Sequence, residues 1–180
     1  MVVILETPRL VLRELTMDDL GAVAPIYADP EVVRYIGDGR TATREETEEW
    51  LRTALERYRL HGIGHWAAVL KETGEIAGRC GLVVRDVEGS EEREIAYLLA
   101  RHHGGRGLAT EAASAVRDHA IGVLGAHRLV SLIDHGNAAS EAVARRVGMS
   151  LERDVEWNGK IVSMFALGDR RPLEATPPVQ

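Results

Sequence analysis

The sequence has a single cysteine and no long apolar run, and each shortage excludes a class of protein. One thiol, Cys80, cannot form an intrachain disulfide, so we expect a reducing compartment, the cytoplasm. No apolar run approaches the roughly 18 residues that a membrane-spanning helix needs. The N-terminal stretch MVVILETPRL lacks the basic start and the apolar core of a secretory signal peptide, so no export is expected.

Positive charge is also in short supply. The chain has 22 Lys and Arg against 28 Asp and Glu, a formal net charge of -6. Broad binding to nucleic acid or to an anionic membrane needs an excess of basic side chains, so neither partner is expected. On whole-chain charge alone, the acidic balance favours a cationic substrate such as an amine.

The pattern of apolar residues predicts one α/β (α+β) domain over residues 1–168, followed by a flexible, proline-rich C-terminal tail over 169–180. The predicted strands are 9–14, 65–70, 75–84, 92–100, 127–133, 149–157 and 160–167. The predicted helices are 17–28, 28–37, 44–60, 106–124 and 138–147. This order gives a mixed sheet of about seven strands with helices on both faces.

A glycine-rich loop, RHHGGRGLATEA over residues 101–112, lies between a predicted strand and a predicted helix. The first N–H groups of a helix have no partner, and glycines let a phosphate approach them closely. Arg106 adds a guanidinium donor. The loop therefore fits a diphosphate cradle, although its glycines would also suit a plain turn. No GxxxxGK[ST] motif is present, and a dinucleotide fingerprint would follow the first strand instead.

With its neighbours, this loop resembles the GNAT superfamily of acetyl-CoA-dependent N-acetyltransferases, and more narrowly the ribosomal-protein N-terminal (RimJ/RimL-type) branch. The motifs that carry the resemblance are ETPRLVLREL, ADPEVVRYI, GEIAGRCGL, EIAYLLARHHGGRGLATEA and NAASEAVARRVGM. The resemblance implies the GNAT acyl-CoA N-acyltransferase fold with a splayed sheet. Two positions depart from the pattern: His102 stands where the family has Gln or Arg, and Gly104 where the branch often has an aromatic residue. Both changes leave the backbone donors intact.

The resemblance also implies acetyl-CoA as co-substrate and assigns its contacts. Leu98 and Leu99 would lie along the pantetheine like an added strand. Asn137 and Ser140 would lie near the thioester, across the splayed sheet. The pyrophosphate would be held by the backbone of Gly105, Arg106, Gly107, Leu108, Ala109 and Thr110. Arg145 and Arg146 would either reach the 3′-phosphate or form a solvated helix face.

The expected reaction is direct attack of an amine on a thioester, which needs a proton acceptor and a donor for the leaving thiolate. Glu94 is the candidate base, directly or through a water; alternatively it is a charge facing solvent. Ser140 is the candidate acid, or else only a residue in the first turn of a helix that Asn137 caps. Ala144 stands where other branches place a tyrosine, so no phenol is expected at the site.

Other chemistry is not favoured by the sequence. Cys80 lies in an apolar strand, where a thiol behaves as a small hydrophobic group rather than as a nucleophile. No metal is expected, since His102 and His103 are adjacent in sequence and would point apart. The aromatic residues fit either the core or an amine pocket, with the one beside the last hairpin as a lid: Tyr35, Trp50, Tyr58, Trp66 and Trp157.

The function predicted from these residues and this resemblance is an N-acetyltransferase that acts through a ternary complex. Its acceptor would be a primary amine, either a small molecule or a protein N-terminal alanine or serine. The alternatives are transfer of a larger acyl group such as succinyl, a non-catalytic acyl-CoA sensor, and a nucleotide-binding regulatory domain. The resemblance also implies a homodimer.

Overall fold

The structure, a computed structural model, describes residues 2–169 of the chain. The strands are β1 (Val3–Glu6), β2 (Leu10–Glu14), β3 (His65–Leu70), β4 (Ile76–Val87), β5 (Ser90–Leu99), β6 (Leu129–Asp134), β7 (Ser150–Trp157) and β8 (Lys160–Leu167). The helices are α1 (Leu20–Tyr27), α2 (Pro30–Val33), α3 (Arg44–His61), α4 (Leu108–Gly122) and α5 (Ala138–Arg146). The tail expected over 169–180 lies outside the described residues except for Asp169.

All eight strands form one mixed sheet in the order β1-β2-β3-β4-β5-β6-β8-β7. Helices cover both faces, as the sequence predicts. On one face α1 and α3 bury Leu51 against Ala67 and its neighbours. On the other face α4 presents small side chains, including Ala112 and Val116, to Leu82 and the rest of the larger core. None of the helices within residues 2–169 is both long and apolar enough to cross a membrane.

The prediction of about seven strands missed β1, the four residues Val3–Glu6. This strand pairs antiparallel with β2 at the edge of the sheet, with a register shift between Val3 and Leu5. It has no alternation of apolar and polar residues, because an edge strand is only partly covered and has little burial to pattern.

The hairpin of β4 and β5 is longer than the predicted segments 75–84 and 92–100. The two strands stay paired from Gly78↔Leu99 to Val87↔Ser90. A tight turn joins them, with both Glu88 and Gly89 at positive φ. This stretch contains many charged residues, and the sequence therefore predicts a loop there. In the structure, charged partners from other elements neutralise some of these side chains, which allows them to lie in strands.

The sheet splays between β5 and β6. These two strands run parallel and are in ladder register at one pair, Glu94↔Val130. The Ser131 hydroxyl donates to the Ile95 carbonyl at 2.8 Å, just beyond this point. The C-terminal half of β5 therefore keeps one backbone edge free of strand partners among the described residues.

Candidate active site

The glycine loop ends β5 and starts α4, and it leaves a row of backbone donors unpaired. Gly105 has φ 72° and Gly107 has φ 76°, a left-handed conformation that glycine adopts without strain. The next backbone bond is made by Glu111 N–H, which donates to the Gly107 carbonyl. Within the described residues, the six N–H groups of residues 105–110 donate to no backbone carbonyl. Together with the helix dipole, they form an anion-binding surface.

These donors face a long cleft of about 800 Å³. Most of the residues expected to contact acetyl-CoA line it: Leu98, Leu99, Gly105, Gly107, Leu108, Ala109, Thr110, Asn137 and Ser140. Residues from α2 and the segment after it, including Val32 and Ile36, form part of the wall. Leu98 and Leu99 border the free edge of β5, so an extended ligand in the cleft would meet unpaired backbone groups there.

Asn137 and Ser140 lie where the cleft meets a second cavity, and both residues line both spaces. Asn137 caps α5: its Oδ1 accepts a hydrogen bond from Ser140 N–H at 3.1 Å. The cap and a contact with a ligand are compatible, because capping uses the Asn137 oxygen and leaves its amide N–H donors. Capping also fixes the first turn of α5, and thereby the place of the Ser140 hydroxyl.

The second cavity holds the predicted base. Glu94 is only 8% exposed, so it is not a solvent-facing charge. Its Oε2 accepts from Arg85 Nε at 2.7 Å, across the β4–β5 ladder. The cavity is lined by residues from both sides of the splay, among them Ile95, Ala96 and Tyr97 from β5 and Ser131, Leu132 and Ile133 from β6. Glu94 and Ser140 therefore face one space.

Two contacts close the outer wall of this cavity. The Tyr35 hydroxyl donates to the Gly136 carbonyl at 3.1 Å. Lys160 Nζ donates to the Gly37 carbonyl at 2.8 Å and also pairs with Asp134. These bonds tie the segment after α2 to the end of β6 and to the last hairpin.

Comparison with known proteins identifies the family. Residues 9–150 match the acetyltransferase (GNAT) domain. The chain belongs to the GNAT acetyltransferase family. The protein YkkB of Bacillus subtilis (strain 168) is 34% identical over 137 residues, which cover 76% of this chain and 78% of YkkB. A solved acetyltransferase from Agrobacterium tumefaciens str. C58 is 32% identical, covers 92% of this chain and 94% of its own, and has a TM-score of 0.77.

The fold of this GNAT acetyltransferase is also that of RimL, the ribosomal L7/L12 α-N-protein acetyltransferase. The RimL complex with coenzyme A superposes with a TM-score of 0.77 over 92% of this chain and 97% of RimL, at 20% identity. An identity this low shows a shared fold and leaves the acceptor open. Family membership makes the protein an acyltransferase enzyme.

One side chain in the loop of the acetyltransferase is placed differently from the prediction. The Arg106 side chain does not line the cleft; its Nη1 lies 3.2 Å from His103 Nδ1. The Arg106 carbonyl accepts from Arg9 Nη1 at 2.9 Å, and Arg9 also pairs with Glu111 on α4 at 2.6 Å. Arg106 thus contacts other residues in and around the loop, and its guanidinium does not line the cleft where the diphosphate is expected.

Of the two arginines near the end of α5, one lines the cleft. Arg146 belongs to the cleft wall. Arg145 lies over the Phe165 ring, 5.0 Å from its centroid, and pairs with Glu141 at 3.6 Å. Only Arg146 is therefore in position to reach a phosphate group in the cleft.

A phenol that the sequence analysis did not expect is present at the site. Ala144 is indeed buried and offers no hydroxyl. Tyr97, however, reaches across from β5 and donates its hydroxyl proton to the Ser140 carbonyl at 2.8 Å. Burial raises the pKa of Tyr97, with the charge of Glu94 adding to the effect, so the phenol stays protonated. Tyr97 is three positions after Glu94 on β5, so the two side chains leave opposite faces of the strand. Both nevertheless border one cavity, because the sheet splays at this point.

The aromatic side chains divide between pocket and core. Tyr35 and Trp157 line the second cavity, and Arg85 lies over the Trp157 ring at 5.5 Å. Trp66 is fully buried beside α4. Tyr58 belongs to the interior too: its hydroxyl accepts from Leu15 N–H at 3.1 Å. Trp50 does not line this cavity; its ring packs against the rings of Tyr27 and His65, at centroid distances of 4.9 and 5.8 Å.

The expectation that His102 and His103 point apart is wrong. They lie in a 3-10 turn, Arg101–His103, which brings their ring centroids to 4.0 Å. His102 Nε2 is 3.1 Å from Glu75 Oε1, and His103 Nε2 is 3.2 Å from the same oxygen, without hydrogen-bond geometry. The hydrogen bond from His102 and the nearby His103 lower the pKa of Glu75. Such a group could hold a metal ion, and the absence of a metal stays a prediction.

Cys80 lies in the core of the acetyltransferase, wholly buried on β4. Burial raises the pKa of its thiol to about 12, so that the reactive thiolate is scarce at neutral pH. The position matches the predicted structural role of this cysteine.

Proposed function

We propose that this enzyme transfers an acetyl group from acetyl-CoA to a primary amine by direct attack in a ternary complex. The observation that carries the proposal is the row of unpaired N–H groups at residues 105–110, which faces a cleft leading to Glu94 and Ser140. A diphosphate suits these donors, and the cleft of about 800 Å³ offers the backbone edge at Leu98 and Leu99 to an extended pantetheine arm.

In this proposal Glu94 removes a proton from the amine, directly or through a water. A free α-amine has a pKa of about 8, so the proton is easily lost and a carboxylate is an adequate base. The Arg85 guanidinium holds one Glu94 oxygen at 2.7 Å and leaves the other free of any hydrogen bond among the described residues. Arg85 thus orients the carboxylate.

The amine nitrogen then attacks the thioester carbonyl, the new C–N bond forms and the C–S bond breaks. The departing thiolate of coenzyme A resembles a cysteine thiolate, with a pKa of about 8.5, and needs little assistance. Ser140 supplies a hydroxyl donor near the breaking bond. The protonated Tyr97 phenol becomes a second donor within the same space when it releases its hydrogen bond to the Ser140 carbonyl.

The test is thiol release from acetyl-CoA, measured with a panel of amines and of peptides that begin with alanine or serine. Release with one class of acceptor supports the transferase and names that class. Saturable binding of acetyl-CoA without release to any acceptor favours the acyl-CoA sensor. Faster release from succinyl-CoA than from acetyl-CoA favours the larger acyl group, and competition by ATP favours a nucleotide-binding domain.

We also propose a cytoplasmic enzyme that forms a homodimer. The support is the single buried thiol for the first statement and the family resemblance for the second. Light scattering tests the second: a mass of about one chain at micromolar concentration rejects the dimer.

A further inference from the structure

A buried arginine faces the second cavity without a counter-ion. Arg79 is 9% exposed. Its Nε donates to the Tyr27 hydroxyl at 2.7 Å, and its Nη1 lies 2.7 Å from His65 Nδ1. Its guanidinium carbon lies 5.6 Å from the centre of the Trp50 ring. Within residues 2–169, no carboxylate forms an ion pair with Arg79.

Neither polar partner of Arg79 supplies negative charge. Burial raises the pKa of Tyr27, so that its phenol stays neutral. Burial, reinforced by the neighbouring guanidinium groups, holds the pKa of His65 well below its usual value, so the imidazole is neutral and accepts from Arg79. A buried charge with only neutral partners is costly, and proteins rarely keep one without an anion to meet it.

Two further arginines increase the surplus. Burial lowers the pKa of Arg57, and the charges of Arg85 and Arg79 lower it further. Arg85 is paired with Glu94 at 2.7 Å, while Arg57 has no ion pair among the described residues. Among the charged residues that line the cavity, three cations (Arg79, Arg85 and Lys160) face two carboxylates (Glu94 and Asp134), so the local charge is positive although the whole chain is acidic.

The position of this cluster separates it from the diphosphate cradle. Arg79 and Arg85 line the cavity that contains Glu94, whereas Gly105 and residues 107–110 line the other cleft and not this one. An anion bound by Arg79 therefore belongs to the molecule that meets the thioester, and not to the phosphates of coenzyme A. Ala96 on β5 also lines this cavity and contributes only a methyl side chain.

We propose that Arg79, supported by Arg57 and Arg85, binds a carboxylate of the acceptor, so that the acceptor is an amine that also carries an acid group. This inference rests on the proposed transferase function and deepens it. The amine would lie at Glu94 and the carboxylate at Arg79. An amino carboxylate is therefore preferred over a polyamine or any other amine that has no acid group. The local charge, and not the whole-chain balance, selects the substrate.

The experiment compares amino carboxylates of increasing length with their own carboxamides: glycine, 4-aminobutyrate, 6-aminohexanoate and a short peptide. Each is titrated calorimetrically into the full-length protein, with and without coenzyme A. At least one carboxylate is expected to bind about 10- to 100-fold more tightly than its carboxamide. Equal affinity for every pair overturns the proposal.

Variants assign the effect to the cluster. Arg79→Gln should abolish the preference for the carboxylate, and Arg79→Lys should keep part of it. Arg57→Gln, a change on α3 at a half-buried position, should weaken the preference without disturbing β4. Arg52→Gln removes the same charge from the exposed side of α3 and should leave the preference unchanged. A preference that survives both Arg79→Gln and Arg57→Gln in folded protein overturns the proposal.

A second arm separates the acceptor from the acyl donor as the source of the carboxylate. The rates of acyl transfer from succinyl-CoA and from acetyl-CoA to an amine without an acid group are compared in wild type and in Arg79→Gln. If the variant selectively loses succinyl transfer while acceptor binding is unaffected, the carboxylate belongs to the donor and the proposal fails. Failure of the transferase function would look different: no thiol release with any amine, even where carboxylate and carboxamide bind with different affinities.

Discussion

Arg85 Nε and Glu94 Oε2 lie 2.7 Å apart on neighbouring strands, inside the cavity where the sheet splays. The pair spans the antiparallel ladder of β4 and β5, and Glu94 is also the residue of β5 that is in register with Val130 of β6. It fixes one carboxylate oxygen and leaves the other toward the cavity. This relationship places a proton acceptor opposite Ser140.

Glu94→Gln should lower the limiting rate of thiol release by about 100-fold near neutral pH, because the amide cannot accept the amine proton. Affinity for acetyl-CoA, measured by calorimetry, should stay the same. Glu91→Gln, an exposed position on the same strand, is the matched control and should have the wild-type rate. An unchanged rate in Glu94→Gln would remove Glu94 as the base.

Ser140→Ala should lower the limiting rate by about tenfold or less, because the leaving thiolate is a weak base and needs little help. Tyr97→Phe should have an effect of similar size, since it removes the one phenol proton, which bonds the Ser140 carbonyl and can turn to the leaving thiolate. The double variant reports whether the two act together: a combined effect smaller than the product of the single effects indicates one shared role. Rates equal to wild type in all three variants would remove both donors from the mechanism.

Gly107→Ala tests the conformation of the loop. Gly107 has φ 76° and the nearest atom to an added Cβ is 3.6 Å away, so the cost is backbone strain rather than a clash. We expect a loss of about 1–2 kcal/mol in the free energy of unfolding, or a changed loop that binds acetyl-CoA more weakly. Gly122→Ala, at the end of the same helix with nothing within 4 Å, should bind as wild type does. Equal cofactor affinity and stability in Gly107→Ala would show that the loop conformation is not required.

Asp19→Asn should make the free energy of unfolding less dependent on pH in the acid range. Burial alone would raise the pKa of Asp19, but hydrogen bonds from Arg13 and Thr16 outweigh it and lower the pKa from 3.8. Asp19 accepts two bonds of 2.7 Å from Arg13. As the pH falls, Asp19 is therefore protonated in the unfolded chain before it is protonated in the folded protein. The Arg13–Asp19 pair stabilises the fold fully above about pH 4, and this stabilisation is lost as the pH falls through the lower pKa that Asp19 has in the folded protein.

Urea unfolding from pH 7 to pH 2.5 measures this effect. Wild type should exceed Asp19→Asn by about 2 kcal/mol at pH 7, and the difference should shrink below pH 4. A constant difference across the range would contradict the assignment.

Much of the fold follows from local signals in the sequence. Thr43 and Glu46 form the capping box that starts α3, and Asn158-Gly159 makes the last hairpin turn, with both residues at positive φ. Asn137 caps α5 as predicted. These features depend on residues within three or four positions of each other, which is the range over which a sequence pattern is informative.

The features that the sequence did not reveal depend on contacts between distant elements. Glu92 and Arg85 extend the β4–β5 hairpin because partners such as Arg128, just before β6, and Glu94 neutralise them. Tyr97 reaches Ser140 only because β5 and α5 meet across the splay. Arg79 looks like an ordinary strand residue until its surroundings show that it has no counter-ion.

The most direct test of the account is a calorimetric titration that compares acetyl-CoA with S-acetylpantetheine, which carries the same thioester but lacks the diphosphate and the 3′-phosphoadenosine attached to it. Unpaired N–H groups at residues 105–110 predict saturable binding of acetyl-CoA and an affinity for S-acetylpantetheine at least about 100-fold weaker. Equal affinity for the two compounds, or no binding of acetyl-CoA, would contradict the assignment of the glycine loop as the diphosphate cradle.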